Sequence, residues 1–173
     1  RRAPLVGCNV AGAVVEAAVI RALGDKAAGL RWLRSSAQAC GVRNAYEPPE
    51  KLGADRWAAL IGARARLAGD CLVVCAGTAT TVDWLDADGL FRGGLILPGS
   101  DLMRRALAKN TAQLPLLAGH YRETPRNTVD AITSGCLFAQ LGAIERMFTP
   151  LAGKPGALCL LTGGAAHGLA SQL

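Results

Sequence analysis

Aromatic residues are scarce in this chain, histidine is nearly absent, and no long apolar run occurs. Phe, Tyr and Trp make up 5% of the 173 residues, too few for the interleaved basic and aromatic side chains of a nucleic-acid surface. The only histidines are His120 and His167, and no Cys-x-x-Cys pair exists, which argues against a zinc site. No stretch reaches the roughly 18 apolar residues that a membrane-spanning helix needs, so no membrane partner is expected. No lysine follows a glycine-rich turn in the P-loop pattern.

Half of the residues are hydrophobic (51%), enough for a globular core in one domain or two small ones. The net charge of +6 comes mostly from scattered arginines, which suits a solvated surface or a small anionic ligand better than a nucleic acid. Four of the six cysteines (Cys8, Cys40, Cys71, Cys75, Cys136, Cys159) fall in apolar strand-like runs or on a helix face. That predicts reduced, buried thiols in a cytoplasmic protein rather than a disulfide framework. The start at Arg1-Arg2, without methionine or a signal-like segment, suggests a piece of a longer protein.

The pattern along the chain is that of an α/β protein. A strand over Leu5 to Val10 precedes a helix over Gly12 to Leu23, with Val15, Val19 and Leu23 on one stripe, and a weaker strand follows at Leu30 to Leu33. Two prolines make Ala45 to Leu52 a loop. A helix over Asp55 to Leu67 turns Trp57, Leu60, Ile61 and Leu67 inward and Arg56, Arg64 and Arg66 largely outward. From Cys71 three strands form a meander, ending at Pro98-Gly99. A helix spans Asp101 to Lys109, then an irregular stretch, then a long helix from Asn127-Thr128 to Phe148. Ala157 to Leu161 reads as a buried strand before a last helix. The composition changes near Gly69, giving expected domains of 1–69 and 70–173.

Five places can carry chemistry. Gly53-Ala54-Asp55-Arg56 sits after the proline loop at the mouth of a helix, where Asp55 is either a first-turn carboxylate favoured by the helix dipole or a general base beside an anion-binding arginine. Gly77-Thr78 joins two strands at a corner suited to an anion, or simply belongs to a threonine-rich meander. Asn127-Thr128 is a helix start or a hydrogen-bonding pair for a polar substrate. Thr162-Gly163-Gly164 allows close backbone approach to a ligand. Tyr46, beside the prolines, packs the loop or lines a small-molecule site.

Taken in order, Gly-Ala-Asp-Arg-Trp, Gly-Thr-Ala-Thr-Thr-Val-Asp, Gly-Gly-Leu-Ile-Leu-Pro-Gly, Asn-Thr with Ala-Ile-x-x-Gly, and Leu-Thr-Gly-Gly resemble type III pantothenate kinases. The arginine-rich composition is also similar to the Bordetella-type members described as Bvg accessory factors. The resemblance implies two ribonuclease-H-like (actin-like ATPase) domains, both truncated in this chain. It implies transfer of the ATP γ-phosphoryl group to pantothenate, with magnesium, in a homodimer whose pantothenate site lies at the subunit interface. Asp55 would be the catalytic proton acceptor; Tyr46, Gly53, Ala54, Arg56 and Thr128 would contact pantothenate; Gly77 and Thr78 would meet the ATP phosphates and Gly163 and Gly164 the adenosine. The other reading is a non-catalytic regulatory protein on the same scaffold. Two departures stand out. The family's N-terminal Asp-x-Gly-Asn-Thr segment is missing from these residues, so the isolated chain is expected to be inactive. Cys75 stands where many members have an aspartate that binds a monovalent cation (K⁺ or NH₄⁺), so no metal-binding residue is assigned there and that cation is expected to bind weakly or not at all.

Overall fold

The computed structural model describes residues 4–111 and 114–173. Strand β1 (Leu5–Gly7), helix α1 (Ala13–Leu23) and strand β2 (Leu30–Trp32) form a small unit in which β1 and β2 pair in parallel, Leu5 with Leu30 and Gly7 with Trp32. The first strand stops at Gly7 rather than Val10. Asn9 accepts a hydrogen bond from the Ala11 N–H (2.8 Å) and donates to the Gly12 carbonyl (2.9 Å), and this side-chain turn competes with further extension.

The remaining strands form one six-stranded sheet. They are β3 (Gln38–Ala39), β4 (Val42–Asn44), β5 (Cys71–Ala76), β6 (Ala79–Leu85), β7 (Leu90–Pro98) and β8 (Leu158–Thr162), in the order β3-β4-β7-β6-β5-β8. Strands β5, β6 and β7 are the expected antiparallel meander, and β8 joins β5 in parallel. A three-strand meander extended by a parallel strand on its first member is a ribonuclease-H-like sheet. The β3–β4 hairpin was not anticipated from sequence. Its turn residues Cys40 and Gly41 both have positive φ (49° and 77°), a geometry usually announced by Asn-Gly or Asp-Gly. Because β4 pairs with β7, residues from both sides of Gly69 share this sheet.

Alternation along the strands gives the sheet two cores. Helix α2 (Ala54–Arg64) covers one face, where Trp57, Leu60 and Ala63 pack with Cys71, Val73, Leu85 and Phe91. Helix α4 (Thr128–Phe148) covers the other, where Leu141 and Ile144 meet Leu72, Val74, Ala76 and Val82. Each such large side chain, once buried, contributes about 1.5–3 kcal/mol. Helix α3 (Ser100–Asn110) lies beside α4, and α5 (Ala166–Ala170) follows β8. A buried glutamine ties these elements together: Gln140 accepts from the Thr80 hydroxyl (2.6 Å) and donates to Ser100 Oγ.

Three expectations need correction. Arg56 does not face outward but is buried, 4% exposed, because a carboxylate waits for it inside. Strand β8 is largely exposed at Leu158 and Cys159, since it is an edge strand. The thiols are free, but Cys8, Cys40 and Cys159 are exposed, while Cys71 and Cys136 are buried. Burial pushes Cys71 up to about 11.

Candidate functional site

Helix α2 begins directly after the proline loop, where Pro49–Lys51 form a single 3₁₀ turn. Gly53 is its N-cap and supplies no side-chain cap. Instead the exposed Asp55 folds back, and its Oδ1 accepts the Arg56 backbone N–H at 2.8 Å. This placement uses the positive end of the helix and leaves Oδ2 without a protein partner among the described residues. The Arg56 side chain goes elsewhere. Its Nε donates to both oxygens of Asp83 (3.2 and 3.1 Å), and its Nη2 also donates to Oδ1. The guanidinium carbon lies 5.7 Å from the Tyr46 ring centre and 5.6 Å from that of Phe91, two rings stacked at 6.4 Å. Tyr46, Gly53, Ala54, Asp55 and Arg56 are thus gathered at one end of α2.

Burial opposes the Arg56 charge, but the Asp83 carboxylate more than offsets it and holds the guanidinium pKa above its usual value. Burial pushes the Asp83 carboxyl up, with the Arg56 hydrogen bonds working against that rise. Asp83 was not singled out from sequence as a site residue. The available signal was a lone carboxylate within the strand Thr80 to Leu85, which must be paired if buried.

Cys75 links this cluster to the next. Burial raises its thiol, and the Asp83 and Asp55 carboxylates are near enough to raise it further. Two residues on, β5 ends in the Gly77-Thr78 corner. The Gly77 N–H is used internally, donating to the Ala79 carbonyl at 3.0 Å, and Thr78's carbonyl accepts from the Gly99 N–H at 2.8 Å. The corner is therefore clamped, with the Thr78 N–H and hydroxyl carrying no protein hydrogen bond among the described residues. Gly163, at φ 102°, passes so close to Ala76 that a Cβ would overlap its carbonyl, and Ala165 donates to that carbonyl at 3.1 Å. Gly77, Thr78, Gly164, Ala165, Asp101, Leu102 and Arg105 surround a pocket of about 490 Å³. Asp101 there is held by Arg104 (2.9 Å) and Arg105 (2.7 Å). Asp101 and Arg105 were not anticipated.

Thr128 stands apart from both groups. Asn127 caps α4, accepting the Asp130 N–H at 2.9 Å, so the helix-start reading is realised. Thr128 lines a separate apolar groove of about 780 Å³ between α3 and α4, with Leu102, Leu107 and Ile132.

Among the described residues no set of three or more His, Cys, Asp or Glu side chains is placed to hold a metal ion. No described helix is long and apolar enough to cross a membrane.

The family model described as type III pantothenate kinase matches residues 2–150. Proteins of that name from Aromatoleum aromaticum, an Azoarcus species and Dechloromonas aromatica are 62%, 58% and 49% identical to this chain. The matches cover 98%, 98% and 95% of it, and 70%, 64% and 69% of those proteins. The chain thus spans about two thirds of the length of the curated relatives it matches. A crystal structure from Campylobacter jejuni, named for the Baf family of transcriptional activators, superposes with a TM-score of 0.63 at 21% identity. It covers all of this chain and 74% of its own. At that identity the likeness concerns the fold.

Proposed function

The chain belongs to the type III pantothenate kinase family, and on that premise we propose that it forms the acceptor and phosphate sites of an enzyme that transfers the γ-phosphoryl group of ATP to the primary hydroxyl of pantothenate, in coenzyme A biosynthesis. The observation that carries this reading is the shared strand β5. Near its end Cys75 feels the Asp55 and Asp83 carboxylates, and two residues on, the Gly77-Thr78 corner lines a pocket of about 490 Å³.

In this reading Asp55 accepts the hydroxyl proton of pantothenate as its oxygen bonds to the γ-phosphorus. The bond from that phosphorus to the bridging oxygen breaks, and ADP leaves. A carboxylate is a weak base, so its work is orientation and late proton acceptance. The Thr78 N–H and hydroxyl, with Arg105, face the phosphates, and Gly163 and Gly164 let the adenosine side approach the backbone. Tyr46, Gly53, Ala54 and Arg56 border pantothenate. Magnesium, as the partner of ATP, would neutralise phosphate charge; no described carboxylate cluster fits it, so it would arrive on the nucleotide. A monovalent cation does not fit beside Cys75, whose raised pKa keeps a soft neutral thiol there.

The protein acts as a homodimer in this reading. The apolar α3–α4 groove supports it, and Thr128 on that groove would meet pantothenate where two copies join.

The test is pantothenate phosphorylation by the full-length protein, wild type against Asp55→Asn. A loss of about 100-fold or more in kcat is expected. An unchanged kcat removes Asp55 from the mechanism, and a wild type that leaves pantothenate unphosphorylated refutes the assignment.

A further inference from the structure

The Arg56–Asp83 pair is nearly enclosed. The two side chains are 5% and 1% exposed, and they connect the first turn of α2 to the middle of β6. Such a pair is not explained by stability alone. Exchanging a buried ion pair for packed apolar side chains is commonly neutral or stabilising, whereas removing one partner is costly.

What the pair does supply is orientation. Asp83 takes Nε and Nη2 together, a two-point contact that fixes the guanidinium plane. Tyr46 and Phe91 stand 5.7 and 5.6 Å from its carbon. The chain makes room for the carboxylate on purpose: Gly94 lies opposite Asp83 in the β6–β7 register, and a Cβ at Gly94 would overlap Asp83 Oδ1. Asp83 thus takes the Nε N–H and one Nη2 N–H, which leaves the other N–H groups of the two terminal nitrogens outside the ion pair. The adjacent Asp55 receives only the Arg56 backbone N–H, not its side chain.

We propose that Asp83 is a positioning residue for the acceptor site: it draws the Arg56 guanidinium into the sheet rather than onto Asp55, and fixes the direction in which the remaining N–H groups of its terminal nitrogens are offered to the carboxylate-bearing acceptor. The proposal rests on the functional reading above. It carries a consequence for recognition. With its charge matched by Asp83, Arg56 selects the acceptor by direction more than by net charge, so losing Asp83 should affect pantothenate and spare ATP.

The experiment uses full-length protein and reads both Michaelis constants, with pantothenate binding by calorimetry alongside. Asp83→Asn keeps the shape and removes the charge. Its KM for pantothenate should rise about 10-fold or more while its KM for ATP stays within about twofold. An unchanged KM for pantothenate, or equal changes in both constants, overturns the proposal. A cycle of Arg56→Met, Asp83→Leu and the double variant carries the same comparison if Asp83→Asn does not fold, because the double variant leaves no charge unpaired. If Asp83 acts through Arg56, the double variant should bind pantothenate no more weakly than Arg56→Met alone. Losses that multiply refute the positioning role. Absence of pantothenate turnover by the wild type would refute the functional reading itself, whereas wild-type turnover with an unperturbed Asp83→Asn refutes only the role of Asp83.

Discussion

A Cβ placed on Gly53 would lie 2.6 Å from Asp55 Oδ1. The glycine at the α2 N-cap is therefore the space into which the Asp55 carboxylate folds, and not only a flexible hinge. The overlap is with the end of a mobile side chain, so Gly53→Ala should move the carboxylate rather than the helix. Its kcat for pantothenate is expected to fall about 10- to 100-fold with a melting temperature close to wild type. A variant with normal kcat would show that the folded-back position of Asp55 is irrelevant to turnover.

Gly163 makes a different demand. It combines φ 102° with backbone overlap on Ala76 for any added Cβ, and neither can be relieved by a side chain turning away. Gly163→Ala should cost about 1–3 kcal/mol of stability. It should also push the Gly164-Ala165 wall away from the Thr78 corner, raising the KM for ATP more than that for pantothenate. Denaturant melts and the two Michaelis constants check both halves. A stable variant with an unaltered KM for ATP would contradict this.

The architecture was legible wherever hydrophobic period and chain punctuation agreed. The meander over residues 71–98 and the long helix opened by Asn127 are such places. The β3–β4 hairpin was not, because two-residue strands carry no period and its turn uses Cys40-Gly41. Arg56 illustrates the harder limit. On a helical wheel an arginine belongs outside, and only the arrival of Asp83 from 27 positions later turns it inward. The residues read from motifs fall into two groups, one at the start of α2 and one at the Gly77-Thr78 corner, and their partners Asp83, Asp101 and Arg105 come from packing that no local pattern expresses. Thr128, named by motif, lies on another face.

Asp70 gives a pH signature away from the site. The Lys154 ammonium, 2.7 Å from Oδ1, holds the carboxyl below its usual value against burial, helped by the Trp84 indole N–H at 3.1 Å. A carboxyl depressed in the folded state stabilises the fold above its unfolded pKa of about 3.9, and that contribution is lost as pH falls through the folded value. Lys154→Met should cost about 1 kcal/mol at pH 7, since the lysine is partly exposed. The gap from wild type should narrow below about pH 4. A remainder should persist, because Lys154 also sits 5.0 Å over the Trp84 ring. Urea midpoints from pH 7 to 3 provide the test; a gap that stays constant would assign the whole effect to packing.

Cys75 should decide the response to monovalent cations. Asp55 and Asp83 already oppose ionisation of its thiol, and Arg56 is committed to Asp83. A carboxylate at this position would be a further negative group without a free arginine to balance it, so it would recruit a hard cation. The neutral thiol has no such need. Full-length wild type should therefore turn over at rates within about twofold of each other in sodium and potassium salts at fixed ionic strength, while Cys75→Asp should become dependent on potassium by about fivefold or more, a difference of about 1 kcal/mol in transition-state stabilisation. Steep potassium activation of the wild type would mean that other groups hold the cation. Indifference of Cys75→Asp would mean that the charge is absorbed by protonation, which a fall in its activity below neutral pH would reveal.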